Sequence, residues 1–334
     1  MTTSHPDEPD EPIAEGFWYG IARSSALGRR RPLPLTRLGR RLVLWRDADG
    51  AALAAPAACP HRHADLGLGR VRDGELECPY HGFRFGREGA CTAVPCEGDD
   101  YAIPAGLHLR TLPLREEHGF LWLWHGAVPD PLPEVPWIPE LPDRTPAMTA
   151  VEDTWDVPFS RVVEGLLDLH HFPFTHRKVS PPGYTRLDPY EAHVDDDGVI
   201  RSHGTLRKPH KTGSGFTLHL DAVFPATLRI GFGAGAFGAV VACPVDARRT
   251  WIAAHYHQTW LPVPVLGHAL TWAFMWSDWN LVLPDDYRMA RSSDPLVADP
   301  RNESLVPADK AISLWHRAHR RALASQRRAE RAQA

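Results

Sequence analysis

The sequence predicts an α+β protein of two domains, and three observations carry that prediction. From Phe17 to about Ala127, short strand-like runs alternate with turn signals. Seven prolines then crowd into residues 129–146. Beyond them, helical patterns at 155–171, 277–293 and 308–330 flank strand-like runs between about 190 and 260. A length of 334 residues suits two domains, and 43% hydrophobic residues suffice for ordinary cores.

The elements follow in order. Residues 1–15 are acidic and Pro-containing, with no apolar run, and are expected to be disordered and not a signal peptide. Residues 16–128 form the first domain. Within it, Arg41–Arg46 and Ala51–Ala55 flank Asp49-Gly50, a hairpin signal, and Phe120–Trp124 reads as a buried strand. Residues 129–148 form an extended linker, because proline removes backbone donors and fixes φ. Residues 149–330 form the second domain. It opens on a helix from Trp155 to His171 with apolar positions at Val162, Val163, Leu166, Leu167 and Leu169. Phe216–Leu220, Leu228–Ile230, Ala239–Cys243 and Trp251–His255 read as strands, and the basic last helix as a solvated one. No internal repeat is evident.

Bulk properties narrow the function classes. A formal net charge of −4 gives no footprint for nucleic acid. The most apolar stretch, Leu261–Trp276, is broken by Pro262, Pro264 and His268 and is too short to span a bilayer. It is expected to be core or the wall of a substrate pocket. Five cysteines, an odd number, fit a reducing cytoplasm. Beyond the two cysteines of the motifs below, Cys91, Cys96 and Cys243 remain; no further ligands cluster near Cys91 and Cys96, which read as small hydrophobic residues and not as a second metal pair.

Two motifs carry the chemistry of the first domain. Cys59-Pro60-His61 and Cys78-Pro79-Tyr80-His81 each put a thiol and an imidazole on a short loop, sixteen residues apart. Cys, His, Cys, His in this order can hold a [2Fe–2S] cluster of the Rieske type, two thiolates on one iron and two imidazoles on the other. Neutral imidazoles lower the negative charge and favour the reduced state, with potentials of roughly −150 to +300 mV. Zinc is the rival, but zinc sites usually pair Cys with Cys and His with His. The flanking residues His61–Ala64 and Tyr80–Phe83 resemble the loops of Rieske oxygenases. The positions that hold extra cysteines in respiratory Rieske proteins are Ala64 and Tyr80, so the resemblance is to the oxygenase or ferredoxin type.

A second motif runs from Glu164 to His176. In the expected helix Asp168 and His171 share one face, Pro173 ends the helix, and the chain can return His176 to the same point. Two imidazoles and one carboxylate make the facial triad of non-haem Fe(II) sites, which leaves positions open for O2 and substrate. The segment resembles the D-x-x-H-x4-H motif of the Rieske non-haem iron oxygenases. The resemblance implies iron ligation by His171 and His176. It also implies a bridging role for Asp168 between a cluster histidine of one subunit and an iron-bound histidine of the next. The third ligand is sought in Leu283–Met289, which resembles the family's late acidic pair. Asp286 is preferred to Asp285, with Asp278 and Asp294 behind. Acids also favour helix N-termini, so the pair could merely cap. Gly165 departs from the family, many members of which carry Asn there. His170 is expected beside the site, and Glu164 in a packing network.

The resemblance further implies a helix-grip catalytic domain with a curved antiparallel sheet, and a short, α-only homotrimer. The implied activity is that of a terminal oxygenase, fed from NAD(P)H through a reductase or ferredoxin, with a [2Fe–2S] cluster, one Fe(II) and O2. The expected substrate is a small apolar or aromatic molecule, undergoing hydroxylation or demethylation. Phe224, Phe232, Phe237, Trp251, Trp272 and Trp276 are candidate pocket residues. The competing class is a Rieske electron carrier with an inactive second domain.

Overall fold

The computed structural model describes residues 10–141, 149–210, 215–232, 235–261 and 263–333. The chain divides into two compact units: one is Trp18–Val135, and the other comprises Met1–Phe17 and Pro136–Ala334.

The first unit is all β. Its strands are β1 (Phe17–Arg23), β2 (Leu33–Arg37), β3 (Arg40–Arg46), β4 (Ala52–Pro56), β5 (Arg70–Arg72), β6 (Glu75–Glu77), β7 (Arg84–Phe85), β8 (Cys91–Ala93), β9 (Leu114–Glu117) and β10 (Phe120–His125). They form three small sheets, ordered β1-β10-β9, β2-β3-β4 and β5-β6-β7-β8. The Asp49-Gly50 signal does close the β3–β4 hairpin, with Gly50 at φ +92°. Every residue of β10 is buried. Val43, Trp45, Leu66, Leu76 and Phe85 make the core, and Cys59 and Cys78 are part of it.

No helix or strand runs from 126 to 141, as the prolines require. Pro142 and Pro146 lie outside the described residues.

The second unit is a seven-stranded antiparallel sheet with helices packed against it. Its strands are β11 (Thr149–Trp155), β12 (Arg186–Val194), β13 (Ile200–Arg207), β14 (Phe216–Val223), β15 (Thr227–Phe232), β16 (Ala236–Pro244) and β17 (Thr250–Gln258). Their order is β11-β17-β16-β15-β14-β13-β12, so the last strand in sequence pairs with the first. β16 and β17 are buried throughout. The helices are α1 (Phe159–Leu167), α2 (Phe172–Thr175), α3 (Pro264–Ser277), α4 (Leu283–Arg291) and α5 (Lys310–Gln333), with a π turn, Asp278–Val282, joining α3 to α4. On α1, Phe159, Val162, Val163 and Leu167 are buried, the spacing of one helix face.

Four expectations need correction. The helix expected over Trp155–His171 starts four residues later, because Trp155 ends β11, and it stops at Leu167. Leu261–Trp276 is core on one face only: Met275 is buried and Phe274 packs on Phe232 and Tyr256, but Val265, Leu266, Trp272 and Trp276 of α3 are largely exposed. The last helix is not wholly solvated, because Ala311, Trp315, His316 and His319 bury its first half. Residues 1–9 lie outside the described residues, but the rest of the N-terminal segment is ordered against the second unit. Glu11 is buried, and its carboxylate accepts from Ser160 N–H at 3.0 and 3.1 Å. The first turn of a helix has free N–H groups, and α1 has no side-chain cap of its own, so Glu11 serves a donor the helix cannot. Burial raises the Glu11 carboxyl to about 7 despite those bonds.

Candidate metal centres

The first centre grows from two loops of the β unit. Each is a tight turn closed by backbone bonds. His63 N–H donates to Cys59 O and Cys59 N–H to Ala64 O; Gly82 N–H donates to Cys78 O and Cys78 N–H to Phe83 O. His63 and Gly82 take positive φ, 60° and 74°. The turns put both thiols inside, 1% and 2% exposed, and His61 and His81 towards the surface with ring centroids 4.8 Å apart. Burial pushes the Cys59 thiol up to about 11, and the neighbouring Cys78 adds to this. Such paired buried thiols are poorly placed as free acids and well placed as ligands of a cationic centre. Thiols on one side and imidazoles on the other suit a [2Fe–2S] cluster with unlike irons.

The second centre is gathered from two segments, the ends of α2 and the first turn of α4. Among the described residues, His171, His176 and Asp286 are the one group of three or more such side chains whose ligand atoms all lie within 4.8 Å of one another. His171 Nε2 and His176 Nε2 are 3.0 Å apart, and Asp286 Oδ1 lies 3.2 and 2.9 Å from them. The route differs from the expected one. Asp168 has already left the helix, with extended φ/ψ of −86° and 120°. Its Oδ1 accepts from His170 N–H at 2.9 Å and His171 N–H at 3.3 Å, a local turn that replaces the helix face. Pro173 opens α2 and does not end a helix, and His176 sits at the C-terminal end of α2.

Asp286 comes from the first turn of α4. That helix continues from the π turn without a side-chain cap, so neither acid is capping. Asp285 instead accepts from Arg288 at 3.1 Å. His170 faces Asp168 and Asp309, both at 3.4 Å, and stays out of the triad. Glu164 belongs to a buried network with Arg161 (2.6 Å) and His316 (2.5 Å). Asp294 lies beyond α4.

The electrostatics favour a cation between these groups. Burial works against charge on His171, but Asp168 and Asp286 outweigh it and raise the imidazole to about 10. Burial likewise opposes ionisation of Asp286 and Asp168, yet the histidines hold both carboxyls below their ordinary range. A metal ion would take the place of that proton. His171 Nδ1 points to Asp168 Oδ2 at 3.4 Å, leaving Nε2 for the triad. His176 Nδ1 is buried without a partner.

A cavity of about 70 Å³ opens on the triad, lined by Phe172, Leu218, Leu220, Ile230, Phe232, Val240 and others. Gly165 also lines it, and a Cβ there would meet nothing within 4 Å. Of the aromatic residues expected in the pocket, Phe232 is in its wall. Phe224 packs on Trp315, Phe237 stacks on His257, Trp251 donates to Glu152, and Trp272 and Trp276 are exposed. Tyr256 and Asp278 also line the cavity, and sequence reasoning missed them as a pair.

Comparison with known proteins agrees with both units. A Rieske [2Fe–2S] domain matches residues 17–113. Chlorophyllide a oxygenase of Arabidopsis thaliana is 29% identical over 187 residues, 55% of this chain and 33% of that protein. Aminopyrrolnitrin oxygenase PrnD of Pseudomonas fluorescens is 33% identical over 173 residues, 48% and 45% of the two chains. The chain thus spans a third to under half of the length of these relatives. Among solved structures, dicamba monooxygenase bound to dicamba superposes with a TM-score of 0.76 at 22% identity, covering 93% of this chain and 98% of the other. A Pseudomonas putida NdmA variant with caffeine gives 0.73 at 23% identity, covering 90% and 88%. The chain therefore carries a Rieske [2Fe–2S] domain over residues 17–113, and its fold as a whole is that of these oxygenase structures.

Proposed function

We propose that the chain is the terminal oxygenase of a Rieske system, acting on a small, largely apolar molecule by hydroxylation or demethylation. The observation that carries this reading is the convergence of His171, His176 and Asp286 at the wall of an apolar cavity. Cys59 and Cys78 would hold one iron of the cluster, and His61 and His81 the other. His171, His176 and Asp286 would hold one Fe(II). When bound, these centres supply one-electron transfer and the activation of O2.

The chain's own residues set the conditions for that chemistry. The buried thiols keep water from the inner half of the cluster site, and the exposed His61 and half-buried His81 offer electrons a short way in. Asp168 Oδ2 lies 3.4 Å from His171 Nδ1, a placement that orients the ring and leaves Nε2 for the triad. Phe172, Leu218, Leu220, Ile230 and Phe232 exclude water and press an apolar substrate towards the triad. We further propose a homotrimer in which Asp168 faces a cluster histidine of a neighbouring protomer. A reductase or ferredoxin would deliver the electrons, in the cytoplasm. No helix among the described residues is long and apolar enough to cross a membrane.

The test is anaerobic purification with metal and sulfide analysis, then O2 uptake with a surrogate reductase. About three irons and two sulfides per chain, with a Rieske EPR signal and reductant-dependent O2 uptake, are expected. Two irons, with none taken up on Fe(II) addition, would leave an electron carrier and overturn the oxygenase reading.

A further inference from the structure

Beyond the triad and Asp168, the cavity wall is apolar except at one point. There the Tyr256 hydroxyl donates to Asp278 Oδ2 at 2.5 Å. Tyr256 is 2% exposed, and its ring meets Phe274 edge to face, centroids 5.6 Å apart. The ring is clamped, so the hydroxyl has little freedom to turn elsewhere. Asp278 stands where α3 widens into the π turn, a rare helical feature found often at functional sites. The triad's Asp286 lies on the far side of the same turn, so one helical run feeds an acid to the triad and an acid to the cavity wall.

A carboxylate in an apolar wall is costly unless it is paired. Packing alone does not explain it, since a buried polar pair can often be replaced by hydrophobic residues without loss. Tyr256 satisfies one acceptor position, and an ionised carboxylate has about four. Burial, with the neighbouring Asp286 carboxylate, raises the Asp278 carboxyl to about 6. The remaining capacity faces a cavity otherwise walled by Leu218, Leu220, Ile230, Phe232 and Val240.

We propose that Asp278, held by Tyr256, is the substrate-anchoring residue, and that the substrate is a small apolar molecule bearing one ammonium or N–H nitrogen. This rests on the oxygenase reading for the use of the site, but not for the binding itself. The nitrogen would sit on Asp278 while the apolar body fills the cavity, which fixes which carbon faces the triad. The same negative charge disfavours carboxylates and sulfonates in this pocket.

The test measures binding to the iron-loaded, full-length protein by calorimetry. The probes are matched sets on three skeletons, phenyl, indane and naphthalene, each as primary amine, plain hydrocarbon and carboxylate. The expected result is an amine that binds at least tenfold more tightly than its hydrocarbon, with the carboxylate weakest. Asp278→Asn should remove that preference while changing hydrocarbon affinity less than twofold and leaving the iron content intact. Tyr256→Phe, the milder change, should weaken the amine several-fold and spare the hydrocarbon. If on every skeleton the amine binds no better than its isosteres, or if none binds, the proposal is overturned. It is overturned equally if Asp278→Asn weakens amine and hydrocarbon alike. O2 uptake is scored separately: a protein that prefers amines but consumes no O2 refutes the oxygenase reading and leaves this one standing.

Discussion

The two candidate metal centres are built on opposite principles. The four cluster residues lie within Cys59–His81 and are held by two loops whose backbone bonds are local. The three triad residues span His171 to Asp286 and meet only because α4 packs against α1 and α2. The first centre is a property of a short sequence, and the second is a property of a fold. Damage should therefore spread differently from each. Loss of a cluster thiol also opens the core of its unit, whereas loss of a triad ligand removes a polar group from a cavity wall.

That contrast can be broken outright. Cys78→Ser should abolish the cluster and its EPR signal, leaving about one iron per chain, and should lower the melting temperature, because the thiol is a core residue. His176→Ala should do the reverse: a retained Rieske signal, about two irons per chain, and no substrate-dependent O2 uptake. If His176→Ala also lost the cluster, the independence of the two centres would be refuted.

Finer changes sharpen the comparison. Asp168→Asn should keep both metals yet lower turnover by roughly 10–100-fold, because the partner of His171 Nδ1 is altered and not a ligand. Unchanged turnover would remove Asp168 from the site. Asp286→Asn should lose mononuclear iron. Asp285→Asn should cost at most about 1 kcal/mol of stability, since its partner Arg288 is an exposed cation. Equal iron loss in both would exchange their roles.

A further effect lies outside both centres. The Glu11 carboxyl is raised from 4.5 to about 7 in the folded chain, so the folded state holds the proton more tightly than the unfolded one. Its contribution is full below about pH 4.5 and is lost as pH rises through 7, on the order of 3 kcal/mol at most. Melting curves between pH 5 and 8 should show that fall in the natural chain and a shallower one in Glu11→Gln.

The same local-versus-assembled distinction explains what could be read in advance. The cluster loops, the β3–β4 hairpin, β10 and the sheet strands were legible because their signals lie within a few residues. The Asp168–His171 pair was placed correctly as neighbours but for the wrong reason. The sequence offers a helix face, whereas Asp168 accepts from the backbone N–H groups of His170 and His171 and so ends the helix early. The apolar stretch at α3 misled because hydrophobicity predicts burial only on average, and here it is spent on the surface. Glu11 looked solvated because its neighbours are acidic, and only the fold supplies the Ser160 donor. Tyr256 and Asp278 lie 22 residues apart, on a strand and a helical turn, with no motif to join them.

The Asp168 carboxylate has one more consequence. One group fixes the main chain at His170 and His171 and also the ring of His171. Backbone and ring therefore have a single adjusting screw. Asp168→Glu, one methylene longer, would shift both together, so no neighbouring substitution could correct one without disturbing the other. This corner of the molecule should tolerate little drift in length, however freely the cavity walls are exchanged around it.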